Sequence, residues 1–189
     1  MEPGFYIAHK RESDEAKQLL EMHLLETGTI ASQLTAKIGL PDLGMVLGLL
    51  HDFGKYSSEF QAYIKSATGE LDQDDEAYVD SELLKGKIDH STAGAQLIYQ
   101  RLTKIDKRGK AKLLAQILAT CIASHHSGLI DMLSVDFGKG NVFEKRMAKE
   151  DGKTHLTECL AAASTEILQK SDALLGLGQV DQFLDVLKR

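Results

Sequence analysis

Along most of the chain, apolar residues recur at helical spacing, and strand-like alternation is scarce. After Ser13, the residues Leu20, Leu24, Thr27, Ala31, Leu34 and Ile38 follow at steps of three, four or seven. This spacing predicts a long helix with Ser13 as its N-cap and with Gly39 and Pro41 as its stop. Gly28, inside it, marks a place for a bend. Residues 43–52 form a short apolar segment, expected to be buried because so short a helix is not stable alone. Residues 56–66 read as a helix capped by Ser57 or Ser58. Asp72, Asp74, Asp75, Glu76, Asp80 and Glu82 make residues 67–88 an acidic connector, expected to be flexible. Asp89 then N-caps a helix running to Leu102, and residues 110–124 form the most apolar helix. Residues 127–153, with Gly128, Gly138, Gly140 and Gly152, are expected to be a flexible irregular loop. Thr154 opens a further helix to Leu175. Gly176 and Gly178 break it, and a last, weak helix covers residues 180–187.

The pattern is all-α, and 189 residues with 43% hydrophobic and 26% charged positions suit one domain spanning 1–189. No apolar run approaches the ~20 residues that cross a bilayer, and the N-terminus lacks the layout of a signal peptide. Cys121 and Cys159 show no CxxC spacing, which argues against a disulfide framework and a thiolate metal site. A cytoplasmic protein with no membrane partner is expected. The net charge of −6 does not suit a protein that coats duplex nucleic acid, yet it leaves room for an enzyme acting through a metal-filled cleft.

Histidine placement changes the picture most. His23, His51, His90, His125 and His126 lie in apolar, helix-like contexts, with His51-Asp52 and His125-His126 as adjacent pairs. Imidazole and carboxylate together suit a divalent transition metal. Gly54 and Gly128 place both pairs near helix ends, where adjacent side chains can serve one cluster. His9 and His155, close to expected helix starts, read as ordinary hydrogen-bonded residues. No Ser-His-Asp order competes, and Gly44-Met45-Val46-Leu47-Gly48 lacks the Lys and Ser/Thr of a phosphate-binding loop. Arg101, Lys104, Lys107, Arg108, Lys110 and Lys112 form a basic run. It reads either as a solvated charge run or as a ridge contacting the backbone of single-stranded DNA. Tyr56 and Phe60 are candidates to stack bases, although Phe60 also continues an apolar helical face.

His51-Asp52-Phe53-Gly54-Lys55 resembles the signature of the HD phosphohydrolase superfamily. With His90-Ser91-Thr92-Ala93-Gly94-Ala95, Ser124-His125-His126-Ser127-Gly128, and the lead-ins from Tyr6 to His9 and Glu21 to Thr27, the chain resembles the HD nuclease domain of type I CRISPR interference over most of residues 1–170. That resemblance implies a helical bundle around a histidine-rich metal site, with one or two ions (Mn, Ni, Co, Fe or Mg). It implies His23, His51 and Asp52 on a first metal, and Asp52 bridging to a second held by His90, His125 and His126. Lys55 would meet the scissile phosphate, or else be a solvated surface lysine. Ser91 and Ser127 would orient ligands, or act as a helix cap or loop hydroxyl. The family supplies a further late Asp. Asp172 is one match for it; the alternative is that the chain stops before the helix that carries it. The implied activity is metal-dependent endonuclease or exonuclease cleavage of single-stranded DNA, in partnership with a superfamily 2 helicase and an RNA-guided surveillance complex. The alternatives are an HD phosphohydrolase of nucleotides or cyclic nucleotides, and a non-catalytic docking module.

Overall fold

The computed structural model describes residues 5–11, 13–106, 109–126, 128–130, 132 and 140–188. Strands β1 (Ile7–Lys10) and β2 (Lys17–Leu19) pair antiparallel, with Ile7 opposite Leu19. This hairpin corrects the expected helix start at Ser13. Residues 17–19 instead pair with β1, whose Ile7 packs on Phe60 and Ile64 and whose Ala8 joins the core, and that tertiary gain overrides the helical spacing. Helix α1 (Leu20–Ala36) follows directly from β2, without a side-chain cap.

Helix α2 (Pro41–Leu50) has its proline in the first turn, where no backbone N–H is needed, and buries Leu43, Val46, Leu49 and Leu50. α1 and α2 share the most extensive contact of any two elements. α1 runs unbroken through Gly28. Gly28 faces Gly48, and a Cβ on Gly48 would collide with the Gly28 backbone, so the two helices meet main chain to main chain.

A 3-10 turn (Phe53–Tyr56) leads into α3 (Ser58–Ala67), whose N-cap, Ser57, accepts from the Phe60 N–H at 3.2 Å. Within the acidic connector, beyond α3, the only helix is the one-turn α4 (Ser81–Leu84), capped by Asp80. Helix α5 (Thr92–Ile105) receives the expected help from Asp89, which accepts from the Thr92 N–H at 3.0 Å. Helix α6 (Lys110–Ser124) forms as expected and packs against α5.

The segment expected to be a single loop contains α7 (Val142–Met147) and the start of α8 (Asp151–Thr154). Phe143, fully buried, anchors it to the core. The helix expected from Thr154 to Leu175 is two, α9 (Leu156–Ala162) and α10 (Thr165–Ala173). Ser164 breaks the run by capping the second and accepting from the Ile167 N–H. Helix α11 (Leu177–Leu187) closes the chain against α6. The main apolar core runs through the bundle and includes Leu24, Leu50, Phe53, Ile98, Leu114 and Ile122, while Ile7, Phe60 and Ile64 form a smaller cluster among the described residues. No helix among the described residues is long and apolar enough to cross a membrane.

Candidate metal centre

Asp52 lies at the meeting point of the C-terminal ends of α2 and α6. His51 is the C-cap of α2, and His125 the C-cap of α6. Helix C-termini carry unpaired carbonyls and partial negative charge, which favours a cation there. Each of these histidines turns one ring nitrogen onto its own last turn: Nδ1 of His51 lies 2.8 Å from the Gly48 carbonyl, and Nδ1 of His125 lies 2.7 Å from that of Ile122. A carbonyl only accepts, so Nδ1 carries the proton in both. His90, in the loop before α5, points Nδ1 at the Ile88 carbonyl at 3.2 Å. In their neutral forms, all three rings therefore present a bare Nε2.

Those nitrogens converge on Asp52, which is 2% exposed. They divide between its two oxygens. Around Oδ2 stand Nε2 of His23 at 3.0 Å, Nε2 of His51 at 3.2 Å and Nζ of Lys55 at 2.9 Å. Around Oδ1 stand Nε2 of His125 at 3.1 Å, of His90 at 3.6 Å and of His126 at 4.0 Å. Burial would raise the Asp52 carboxyl, but hydrogen bonding at its oxygens and the Lys55 charge hold it far below the usual carboxylate range. Burial pushes His90 down to about 4, which keeps its ring neutral at pH 7.

This donor set fits a metal ion. His90 Nε2 is buried with no hydrogen-bond partner, and bare imidazole nitrogens facing a carboxylate repel one another unless a cation lies between them. Asp52, His90, His125 and His126 bring one ligand atom each within 4.8 Å of one another. When bound, an ion in such a site lowers the pKa of its water and draws charge from a phosphate oxygen.

Several expected residues are placed differently. Lys55 is neither solvated nor free: it is 3% exposed, and its ammonium lies near the Ala8 carbonyl (3.1 Å), His9 Nε2 (3.2 Å) and Asp52. Asp172 is not brought to the cluster. It is exposed and pairs with Arg101, whose Nε lies 3.0 Å from Oδ1, so Arg101 is held by its own chain rather than standing as a free ridge cation. Lys104 is exposed, while Lys107, Arg108 and Ser127 lie outside the described residues. Among the described residues, the Ser91 hydroxyl is engaged away from the candidate ligands: it accepts from Arg146 at 2.8 Å in a network with Asp89, Thr92 and Lys149. Tyr56 is buried, packed edge-on against Tyr6 and Phe53, and has no face left for a base.

One residue was missed. His9, on β1, lies with His23 and Asp52 in a second group of converging ligand atoms. Its sequence context reads as the neighbourhood of a helix start, and only the lead-in resemblance around it points to the site. His155, by contrast, is an ordinary paired residue, 3.0 Å from Glu59. Beside the cluster opens a groove of about 650 Å³, reached by Lys55, His90 and His126 and continuing past Tyr63 to Lys85.

A helical bundle that gathers histidines about one buried aspartate at two helix ends defines the class as an HD-type metal hydrolase fold. The family model described as Cas3, HD domain, matches residues 8–183, and the chain belongs to that family, the HD hydrolases of CRISPR systems. A search of the curated proteins returned no match.

Proposed function

We propose that this domain is a metal-dependent nuclease that cuts single-stranded DNA during CRISPR interference in the cytoplasm. It would work with a superfamily 2 helicase and an RNA-guided surveillance complex. The observation that carries this reading is the division of the Asp52 carboxylate between two sets of histidines, beside a groove open to solvent.

His90, His125 and His126 would hold an ion on the Oδ1 side, and His23 and His51 face the Oδ2 side. Bound there, a divalent ion (Mn, Ni, Co, Fe or Mg) supplies hydroxide near neutral pH and stabilises charge on the phosphate. The chain's own residues orient the reaction. The carbonyls of Gly48, Ile88 and Ile122 fix the ring tautomers, and Lys55 neutralises Asp52. The groove gives a strand room to lie beside the ligands, with Tyr63 and Lys85 among its lining residues. An open groove favours a strand over a mononucleotide, which is better held in a closed pocket.

The test is cleavage of circular single-stranded DNA with Mn, Ni, Co, Fe and Mg supplied separately, alongside nucleoside triphosphates and cyclic nucleotides. Linearised circles with at least one metal are expected. Turnover of the small nucleotides with the circles intact would replace this reading with a nucleotide phosphohydrolase.

A further inference from the structure

The two oxygens of Asp52 are not equivalent. Oδ1 faces the bare Nε2 atoms of His125 and His90, the second of which is buried and without a partner. Among the described residues, no lysine or arginine forms an ion pair with Oδ1. Oδ2 is already satisfied. The Lys55 ammonium lies 2.9 Å from it, and His23 Nε2 lies 3.0 Å from it and 3.1 Å from His51 Nε2.

Lys55 is held firmly in this place. Its ammonium also meets the Ala8 carbonyl at 3.1 Å and His9 Nε2 at 3.2 Å, and it sits 5.2 Å from the centroid of the Phe60 ring. Three acceptors match its three N–H bonds, and its side chain is almost wholly buried. A buried ammonium beside a buried carboxylate is costly to separate, because either charge left alone would be unpaired in a medium of low polarity.

We propose that Lys55 is the resident cation of the Oδ2 side. One divalent ion then binds tightly among Asp52, His90, His125 and His126, and a second binds beside His23 and His51 only by displacing the ammonium. His9 serves this arrangement as an acceptor that anchors Lys55, not as a metal ligand. The inference rests on the metal-centre reading above and concerns how that centre is filled.

Equilibrium dialysis against Mn²⁺ with metal analysis, together with electron paramagnetic resonance, tests it on the intact chain. The wild type is expected to take up one tight ion with the spectrum of isolated Mn²⁺, and a second ion at least about tenfold more weakly. Lys55→Met should tighten the second ion by about tenfold, because the competing charge is gone. The exposed His9→Ala should tighten it by a smaller factor, because the ammonium loses an anchor.

Two ions of equal affinity in the wild type, with an exchange-coupled spectrum, would overturn the proposal. So would a Lys55→Met protein whose second ion is unchanged, or a His9→Ala protein whose second ion weakens, which would make His9 a ligand. If Lys55→Met does not fold, the wild-type stoichiometry and His9→Ala decide the matter. Absence of any tight ion in the wild type, with His90→Ala behaving identically, would instead remove the metal reading on which the proposal stands.

Discussion

At the scale of the residue, Asp52 concentrates the chemistry because it stays a carboxylate against the cost of burial, with the Lys55 ammonium beside it and five imidazoles converging on it. Asp52→Ala removes the anion that draws cations to both sides. Metal affinity, measured by calorimetry, should fall on the order of a hundredfold or more, and cleavage should be lost. The same change strands Lys55, so stability should drop by about 3 kcal/mol in denaturant titration while the circular dichroism of the folded protein remains helical. Asp172 makes the opposite case. It pairs with Arg101 at 57% side-chain exposure, and surface ion pairs are worth little. Asp172→Ala should leave Mn²⁺ stoichiometry and affinity unchanged and alter stability by less than about 1 kcal/mol. Loss of an ion from that variant would return Asp172 to the ligand set.

At the scale of the element, the ligands stand where helix ends and close backbone contacts put them. Gly54, inside the HD signature, donates its N–H to the His90 carbonyl at 3.0 Å, and a Cβ there would collide with the His90 backbone. Gly54→Ala should therefore push the His90 loop away, costing about 1–3 kcal/mol in stability and weakening metal binding, whereas Gly152→Ala, with open space around it, should do neither. Thermal melts and calorimetry on the pair of variants check this. Local signals explain how much of this was legible in the sequence. α2, α3 and α6 could be read because apolar spacing, the Pro41 start and the Ser57 cap act within a few residues. The pairs His51-Asp52 and His125-His126 could be read as sites because glycines after them mark helix ends. The hairpin of β1 and β2 could not, since strands of four and three residues are too short to show alternation and their pairing is tertiary. His9 was lost with it. The break between α9 and α10 lies at Ala163 and Ser164, with neither Gly nor Pro to announce it. α7 was hidden by the glycines before it, and its anchors, Phe143 in the core and Arg146 on Ser91, appear only in three dimensions.

At the scale of the whole molecule, the centre joins parts of the chain that are far apart in sequence: His23 from α1, His51 and Asp52 after α2, His90 before α5, and His125 and His126 after α6. These segments also share the apolar core, whose packing is separate from the ligand set. The cluster nonetheless places bare nitrogens around Oδ1, and that local repulsion is a cost the folded state carries until a cation binds. In the unfolded chain the same histidines are dispersed and bind metal weakly. A ligand that prefers the folded state stabilises it by about 2.7 kcal/mol at one hundred times its dissociation constant. For a chain of this size, that corresponds to a rise in melting temperature of roughly 5–10 °C. Calorimetric melts with Mn²⁺ at that excess should show the rise, and a chelator should reverse it. His90→Ala removes one bare nitrogen along with the buried unpaired atom. It should melt close to the metal-free wild type and lose most of the Mn²⁺ response. A rise of the same size in His90→Ala would mean that the stabilising ion binds elsewhere, and that the crowding of imidazoles on Oδ1 is relieved by protonation instead.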